Sequence, residues 1–235
     1  KDVKALLVNG KQIDTNLVLS GADYHHTETL LDKNLRQYSE SYWSKKTFAP
    51  SSLLFYVGFD KKIKNASHHT LFFDSDFDAH AEEIYDNPKW PTEPLFYANF
   101  TSMTDKTSAP RGKEAGFFLI PLAPGIEDTE ELRDQYFHKI MDRFEHLTNQ
   151  EVRKNVLFKR SFCVKDFEQE YNSYKGNAYG MANTLMQTAF LRPKIKSSKV
   201  NNLYFTGQLT VPGPGVPPAL ISGKIASDLI KQKQK

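Results

Sequence analysis

Apolar residues alternate or cluster in short runs over much of this chain, and they take up a helical period in only a few places. Val3 to Val8 reads as a strand. Asn9-Gly10 then readily takes the positive φ angles of a type I′ turn, and a second strand is expected from Ile13 through Leu17-Val18-Leu19, ending at Ser20-Gly21-Ala22. Thr27, Leu30 and Leu31 predict a short helix, and Ser39 to Pro50 a connecting segment. From Pro50 the runs Ser51 to Phe59, His69 to Phe73, Leu95 to Thr101 and Glu114 to Pro121 are aromatic and aliphatic, bounded by Asp, Asn, Pro and Gly. With one helical piece, Ala79 to Tyr85, they predict a mainly antiparallel or mixed sheet. The strongest helical period follows, with Leu132, Tyr136, Ile140, Phe144 and Leu147 on one side and Asp128 with Glu131 as its cap. A strand over Phe158 to Val164, a helical turn over Asp166 to Tyr171 and a last amphipathic helix with Ile221, Ile225 and Leu229 complete the pattern.

The composition is that of a globular protein: 39% hydrophobic and 25% charged over 235 residues. Lys and Arg (31) and Asp and Glu (28) are interspersed and leave a net charge of only +3, which argues against nucleic acid as a partner. A single cysteine, Cys163, excludes an internal disulfide and any Cys-based metal centre, and is expected to pack as a small buried hydrophobe. The apolar runs Leu53 to Phe59 and Phe117 to Leu122 are far shorter than the ~20 residues of a membrane-spanning helix. No signal-peptide pattern opens the chain, which starts at Lys1 directly in a strand-like segment, as expected of a piece of a longer protein.

Self-contained catalytic motifs are missing. The histidines fall mainly in the adjacent pairs His25-His26 and His68-His69, without metal-ligand spacing, so no metal site is expected. G-x-S-x-G, H-E-x-x-H, a Walker lysine motif and G-x-G-x-x-G are all lacking. The last 60 residues hold five of the 12 prolines and many glycines. There Asn202 to Gly207 reads as a buried strand, followed by a stiff Pro/Gly loop and a helix start at Pro217-Pro218. Two readings stand. The amides of Gly215, Val216 and Ala219 and the helix dipole could meet an electron-accepting aromatic group, or Gly and Pro merely shape a tight connection.

The segment Asn202-Leu203-Tyr204-Phe205-Thr206-Gly207-Gln208-Leu209-Thr210-Val211-Pro212-Gly213-Pro214-Gly215-Val216-Pro217 resembles the C-terminal flavin signature of carotenoid desaturases, the bacterial phytoene dehydrogenase family. Further segments agree in order. These are Leu19-Ser20-Gly21-Ala22-Asp23 with His26-Thr27 and Leu30-Leu31, then Thr104-Asp105 with Ala109-Pro110 and Gly112, then Gly176-Asn177-Ala178-Tyr179-Gly180 leading to Gln187-Thr188-Ala189 and Arg192-Pro193. One departure matters: where family members commonly carry Gly-Ala-Gly-Thr-His-Pro-Gly, the histidine position is Val211, which excludes any mechanism that needs that imidazole.

The resemblance implies an α/β (α+β) fold, the C-terminal half of an FAD-dependent, amine oxidase-like flavoprotein. A mixed or antiparallel substrate-domain sheet with flanking helices would be joined to part of the FAD-binding domain. Residues 1–30 would be the closing hairpin and strand of that domain, 31–175 the substrate domain, and 176–235 the return with the flavin-contacting loop. The implied cofactor contacts are Ser20, Gly21, Ala22, Gly207, Gln208, Thr210, Gly213, Gly215 and Val216. FAD would be held incompletely, because the N-terminal dinucleotide motif is absent. Asp105 and Arg192 match motif positions and are candidates for substrate or structural roles, Asp105 as a turn cap and Arg192 as the partner of a carboxylate. No residue is assigned as catalytic acid or base.

The implied activity is oxidation of phytoene or a related polyene. Polyene isomerisation or saturation is an alternative, and a non-catalytic apolar-ligand-binding fragment is another. The implied location is cytoplasmic with peripheral membrane contact. Lys45-Lys46 beside Tyr42, Trp43 and Phe48 would sit either at a membrane interface or on a solvated loop with its aromatics tucked inward.

Overall fold

The computed structural model describes residues 1–233. In chain order its strands and helices are β1 (Ala5–Val8), β2 (Lys11–Asp14), β3 (Val18–Ser20), α1 (Tyr24–Thr29), α2 (Glu40–Ser44), β4 (Ser51–Phe59), β5 (His69–Phe72), α3 (Phe77–Tyr85), β6 (Phe96–Asn99), β7 (Glu114–Leu122), α4 (Glu130–Thr148), β8 (Val156–Phe162), α5 (Val164–Tyr171), β9 (Leu203–Phe205) and α6 (Val216–Lys233). Packing divides the chain into two compact units. One joins Lys1–Ala49 to Glu168–Lys235, and the other is the continuous stretch Pro50–Phe167.

The continuous unit is an antiparallel sheet of five strands in the order β5-β6-β7-β4-β8. Alternation sets its inner face: Glu114, Gly116, Phe118, Ile120 and Leu122 of β7 are buried, and the residues between them only half-buried. Against that face lies α4, whose Phe137 meets Phe55 edge-on at 5.1 Å and whose Phe144 packs among Phe72, Phe100 and Phe118 at centroid distances of 5.5–5.8 Å. Cys163 is a buried member of the same core, and burial pushes its thiol pKa up.

Two expectations about α4 are corrected. Its cap is Thr129, whose hydroxyl accepts from the Leu132 amide. Asp128 is buried and instead grips Arg133 with both carboxylate oxygens at 2.7 Å. Burial alone would raise the Asp128 pKa, but hydrogen bonds from Arg133 and the Lys165 amide outweigh it and hold the carboxyl below its usual range. Leu147 was expected on the core face, yet it is 44% exposed, because the helix turns its Phe144, Met141 and Thr148 side inward.

In the discontinuous unit, β1 and β2 form the expected hairpin, with Asn9 and Gly10 at φ 50° and 77°. The strand expected from Ile13 to Leu19 is broken, however. Its second half leaves the hairpin as β3 and pairs in parallel with β9, Val18 opposite Leu203 and Ser20 opposite Phe205. The core of this unit gathers Tyr24, Trp43, Phe48, Met181, Leu203, Phe205 and Leu209. Tyr24 stacks flat on Phe205 at 3.7 Å. The segment 39–50, expected as a connection, contains the short helix α2, capped by Ser39.

The face of α6 is also corrected. This unit buries its small residues Ser222 and Ala226, whereas Ile221 and Leu229 are exposed, since close approach to the end of β9 requires short side chains.

The packing of α4 predicts contrasting costs for two of its apolar residues. Phe144→Ala should destabilise by about 3–5 kcal/mol, as truncation of a fully buried aromatic does. Leu147→Ala should stay within about 0.5 kcal/mol. Urea denaturation midpoints of the two variants check this, and equal losses would place Leu147 in the core after all.

Candidate functional site

Two βα connections open side by side at the carboxyl ends of the parallel pair β3 and β9, the position at which α/β sheets bind ligands. The first is Ser20-Gly21-Ala22, leading into α1 through its cap Asp23. The second is Gly207 to Gly215, leading into α6. The Thr206 amide donates to the Ser20 carbonyl at 2.9 Å, and a Cβ on Gly21 would stand 3.8 Å from the Thr206 methyl. Each turn is tied to its own helix by hydroxyls. Ser20 Oγ meets Thr27 Oγ1 at 2.7 Å, while Ser222 Oγ accepts from the Gly207 amide at 2.8 Å and meets Thr206 Oγ1 at 2.7 Å.

The glycines of the second loop do different work. Gly207 adopts φ 105°, and nothing lies within 4 Å of where its Cβ would stand, so its bare backbone faces open space. Gly213, at φ 138°, is packed from within: a Cβ would meet Asn183 Oδ1 at 2.9 Å and the Arg192 guanidinium at 3.4 Å. Thr210 is fully buried, and both its amide and its hydroxyl donate to the Gly207 carbonyl. Gln208 is half-buried, with Gly180 close beneath it. Gly215 and Val216 are exposed at the start of α6, while the Ala219 amide is already engaged by the Gly215 carbonyl.

The segment 176–193 forms the seat of this loop. Asn177 Oδ1 accepts from the Gly180 amide at 2.7 Å, and the Gln187 side chain clamps Thr47 through both its oxygen and its nitrogen. Arg192, 2% exposed, donates to the carbonyls of Thr210, Gln208, Met181 and Gln187 and to Asn183 Oδ1, all within 2.9–3.0 Å. Its partners are therefore neutral oxygens rather than the expected carboxylate.

Sequence reasoning missed two features here. One is the identity of the Arg192 partners, backbone carbonyls and an amide oxygen in place of a carboxylate. The other is a knuckle on either side of Gln187, where Leu185, Met186 and Phe190 are strongly exposed (Phe190 87%) and Ala189 sits at φ 50°. The available signal was a cluster of large apolar residues with neither a helical nor a strand period.

Asp105 lies in the continuous unit, on its surface. Its carboxylate accepts from the Thr107 amide at 2.8 Å and hydroxyl at 2.7 Å, which hold its pKa down and make it the cap of a turn. Of the aromatic group near Lys45-Lys46, Trp43 and Phe48 are buried in the core and Lys46 Nζ stands 4.4 Å over the Tyr42 ring. Among the described residues, no group of His, Cys, Asp and Glu is arranged to hold a metal ion, and no helix is long and apolar enough to cross a membrane.

The continuous unit carries an apolar cavity of about 310 Å³ under α3, lined by Leu71, Phe73, Phe77, Ile84, Tyr97 and Leu119 among others. His80 is its one basic lining group. The Leu95 amide donates to His80 Nδ1 at 3.1 Å, so the proton sits on Nε2, which donates to the Pro121 carbonyl at 3.0 Å. Burial holds the imidazole pKa below the ordinary value. Tyr97 also continues the cavity wall into an aromatic patch with Phe117 and Tyr56 on the less buried face of the sheet.

The chain can be tested for fit to a flavin. The isoalloxazine ring needs bare backbone against its face and free donors at its edge. Gly207 with open space before it, the exposed Gly21 and Ala22 beside it, and the start of α6 supply these, so the residues fit that end of the cofactor.

No protein-family model matches the chain. It is 41% identical over 224 residues to a carotenoid 3,4-desaturase of Haloarcula japonica, covering 95% of this chain and 45% of that protein. It is 30% identical over 241 residues to a 4,4'-diapophytoene desaturase (4,4'-diaponeurosporene-forming) of Staphylococcus haemolyticus, covering 97% of this chain and 47% of that one. The chain thus spans about half the length of these curated relatives. Among solved structures it matches an oxidoreductase from Methanosarcina mazei with a TM-score of 0.60 at 13% identity, over 97% of this chain and 46% of that one, a likeness of fold alone.

The neutral His80 predicts a pH dependence. Above the ordinary histidine pKa of about 6.5 the folded and unfolded states are both unprotonated at this position. As pH falls below it the unfolded chain takes up a proton that the folded chain refuses, so stability is lost. Between pH 7.5 and 5.5 the wild type should therefore lose more stability than His80→Gln in urea titrations. Equal losses would show that His80 does not contribute.

Proposed function

Because the chain belongs in sequence to the carotenoid desaturases, we propose that it is the C-terminal portion of an FAD-dependent oxidoreductase that desaturates a long-chain polyene such as phytoene. The observation that carries this reading is the joint opening of Ser20-Gly21-Ala22 and the bare Gly207 at the ends of two paired parallel strands, beside the start of α6. When bound, FAD supplies the acceptor for hydride from an unactivated C–H, chemistry that no side chain can provide.

The chain's own residues bind and orient. Ser20, Gly21, Ala22 and Gly207 offer backbone to the ring, and Gln208, Gly215 and Val216 stand at its edge. The dipole of α6 favours the negative charge of the reduced state by roughly 0.3–2 kcal/mol, which tunes the reaction without driving it. Thr210 and Gly213 take part by fixing the loop from behind. No acid or base is assigned, and the Val211 position supplies none.

The apolar surfaces suit the substrate. The cavity under α3, the Tyr56-Tyr97-Phe117 face and the knuckle of Leu185, Met186 and Phe190 each offer largely apolar contact to a polyene. A substrate of this kind dissolves in bilayers, so peripheral membrane contact belongs to the same reading. A second reading, oxidation of a polyene aldehyde, is favoured by a relative from Metabacillus indicus, 29% identical over 94% of the chain, whose name is 4,4'-diapolycopen-4-al dehydrogenase.

The test is an absorbance spectrum and product analysis of the full-length protein given FAD and phytoene in liposomes. A flavin spectrum with conversion to more conjugated products is expected. Flavin without conversion would overturn the substrate, a product with unchanged oxidation level would indicate an isomerase, and absence of flavin would leave an apolar-ligand-binding protein. The 235-residue chain alone is expected to release FAD on gel filtration, since it carries no G-x-G-x-x-G motif for the ADP half. Stoichiometric retention would refute that.

A further inference from the structure

Arg192 presents an unusual electrostatic arrangement. A buried guanidinium is normally paired with a carboxylate, which offsets the cost of removing its charge from water. Here all five N–H donors are used, and every acceptor is neutral: the carbonyls of Thr210, Gln208, Met181 and Gln187, and Asn183 Oδ1. No Arg192 ion pair occurs among the described residues. The ionisable group acting on it is Tyr42, whose phenol is itself pushed up to about 12 by burial and stays uncharged near neutrality. The positive charge is therefore left without a counter-charge behind the loop.

Two of the five acceptors belong to that loop. In a planar trans peptide the N–H points opposite to the C=O. With the carbonyls of Gln208 and Thr210 drawn toward Arg192, the amides of Leu209 and Val211 must point to the other side. Among the described residues neither amide has an acceptor. The guanidinium polarises both peptides in the same sense, so that each outward N–H carries more positive charge than an ordinary amide.

We infer that Arg192 is a positioning residue that presents its charge, through the 208–209 and 210–211 peptides, to an anionic acceptor bound at the outer side of the loop. This rests on the reading of that loop as the flavin site. The reduced, negatively charged form of the bound group is then favoured by a fixed cation that never touches it.

A plain structural clamp would bind the same carbonyls, so the test must separate charge from shape. Asn183→Asp does so: it keeps the bond to Nη1 and adds the missing counter-charge in place. The two-electron midpoint potential of flavin bound to the full-length protein is compared for wild type, Asn183→Asp, Arg192→Lys and Arg192→Gln. Arg192→Gln should lower the preference for reduced flavin about tenfold, ~30 mV for two electrons. Asn183→Asp should lower it threefold or more while thermal stability is kept, and Arg192→Lys should change it less than Arg192→Gln. A second readout needs no cofactor: base-catalysed exchange of the Leu209 and Val211 amides in the apoprotein should slow in Asn183→Asp.

A potential and exchange rates unmoved in Asn183→Asp would overturn the proposal and leave Arg192 a clamp, even if Arg192→Gln fails to fold. A full-length wild type without flavin would overturn the underlying reading as well.

Discussion

The parallel pairing of β3 with β9 is the contact on which the rest of the discontinuous unit depends. It joins residues from near the two ends of the chain over only three positions, Val18 to Ser20 against Leu203 to Phe205. So short a ladder cannot hold itself. Its stability comes from what flanks it: the flat stack of Tyr24 on Phe205, the Trp43 and Phe48 core, and the hydroxyl pairs Ser20–Thr27 and Thr206–Ser222 that bind each emerging loop to its own helix. Because the strands are parallel, both leave the sheet at the same end, and two loops from distant parts of the sequence share one opening.

The Gly207 to Gly215 loop gains its shape from behind rather than from its own residues. Arg192, Gln187 and Asn177 are motif residues in the resemblance to carotenoid desaturases, and the structure uses each as a clamp on backbone carbonyls or amides. Gly213 is needed because Asn183 and Arg192 occupy the room a side chain would take. Gly207 alone faces outward with space to spare. A motif of this kind is thus mostly a mould, with a small part of it left as contact surface.

Much of the fold was legible from periodicity. β4 runs from Ser51 to Phe59 as read, and β7 and α4 fall where alternation and the three-to-four spacing put them. These elements bury one face in their own unit, which is the case that periodicity detects. It failed where another force decides. The break between β2 and β3 reflects a partner far along the chain, and the inward face of α6 is chosen by the small size of Ser222 and Ala226 rather than by hydrophobicity. Asp128 looked like a cap because its position suited one, but a buried arginine five residues on claimed it. Of the site, the glycines and the helix start were visible in sequence. Arg192 was visible as a motif position, but its partners were not, since nothing in a sequence shows that a cation's acceptors will be carbonyls rather than a carboxylate.

The division of the chain at residues 49 and 167 has a consequence for the order in which the polypeptide can acquire structure. The middle unit is complete as soon as its last residue is made, and every contact within its sheet is then available. β3 must wait for β9. At roughly 5–20 residues per second of synthesis, that interval is on the order of 10–40 seconds, during which β3 lacks its β9 partner. Through that interval Tyr24 also lacks the Phe205 ring on which it stacks in the finished unit, so the two loops of the opening come together only late in synthesis.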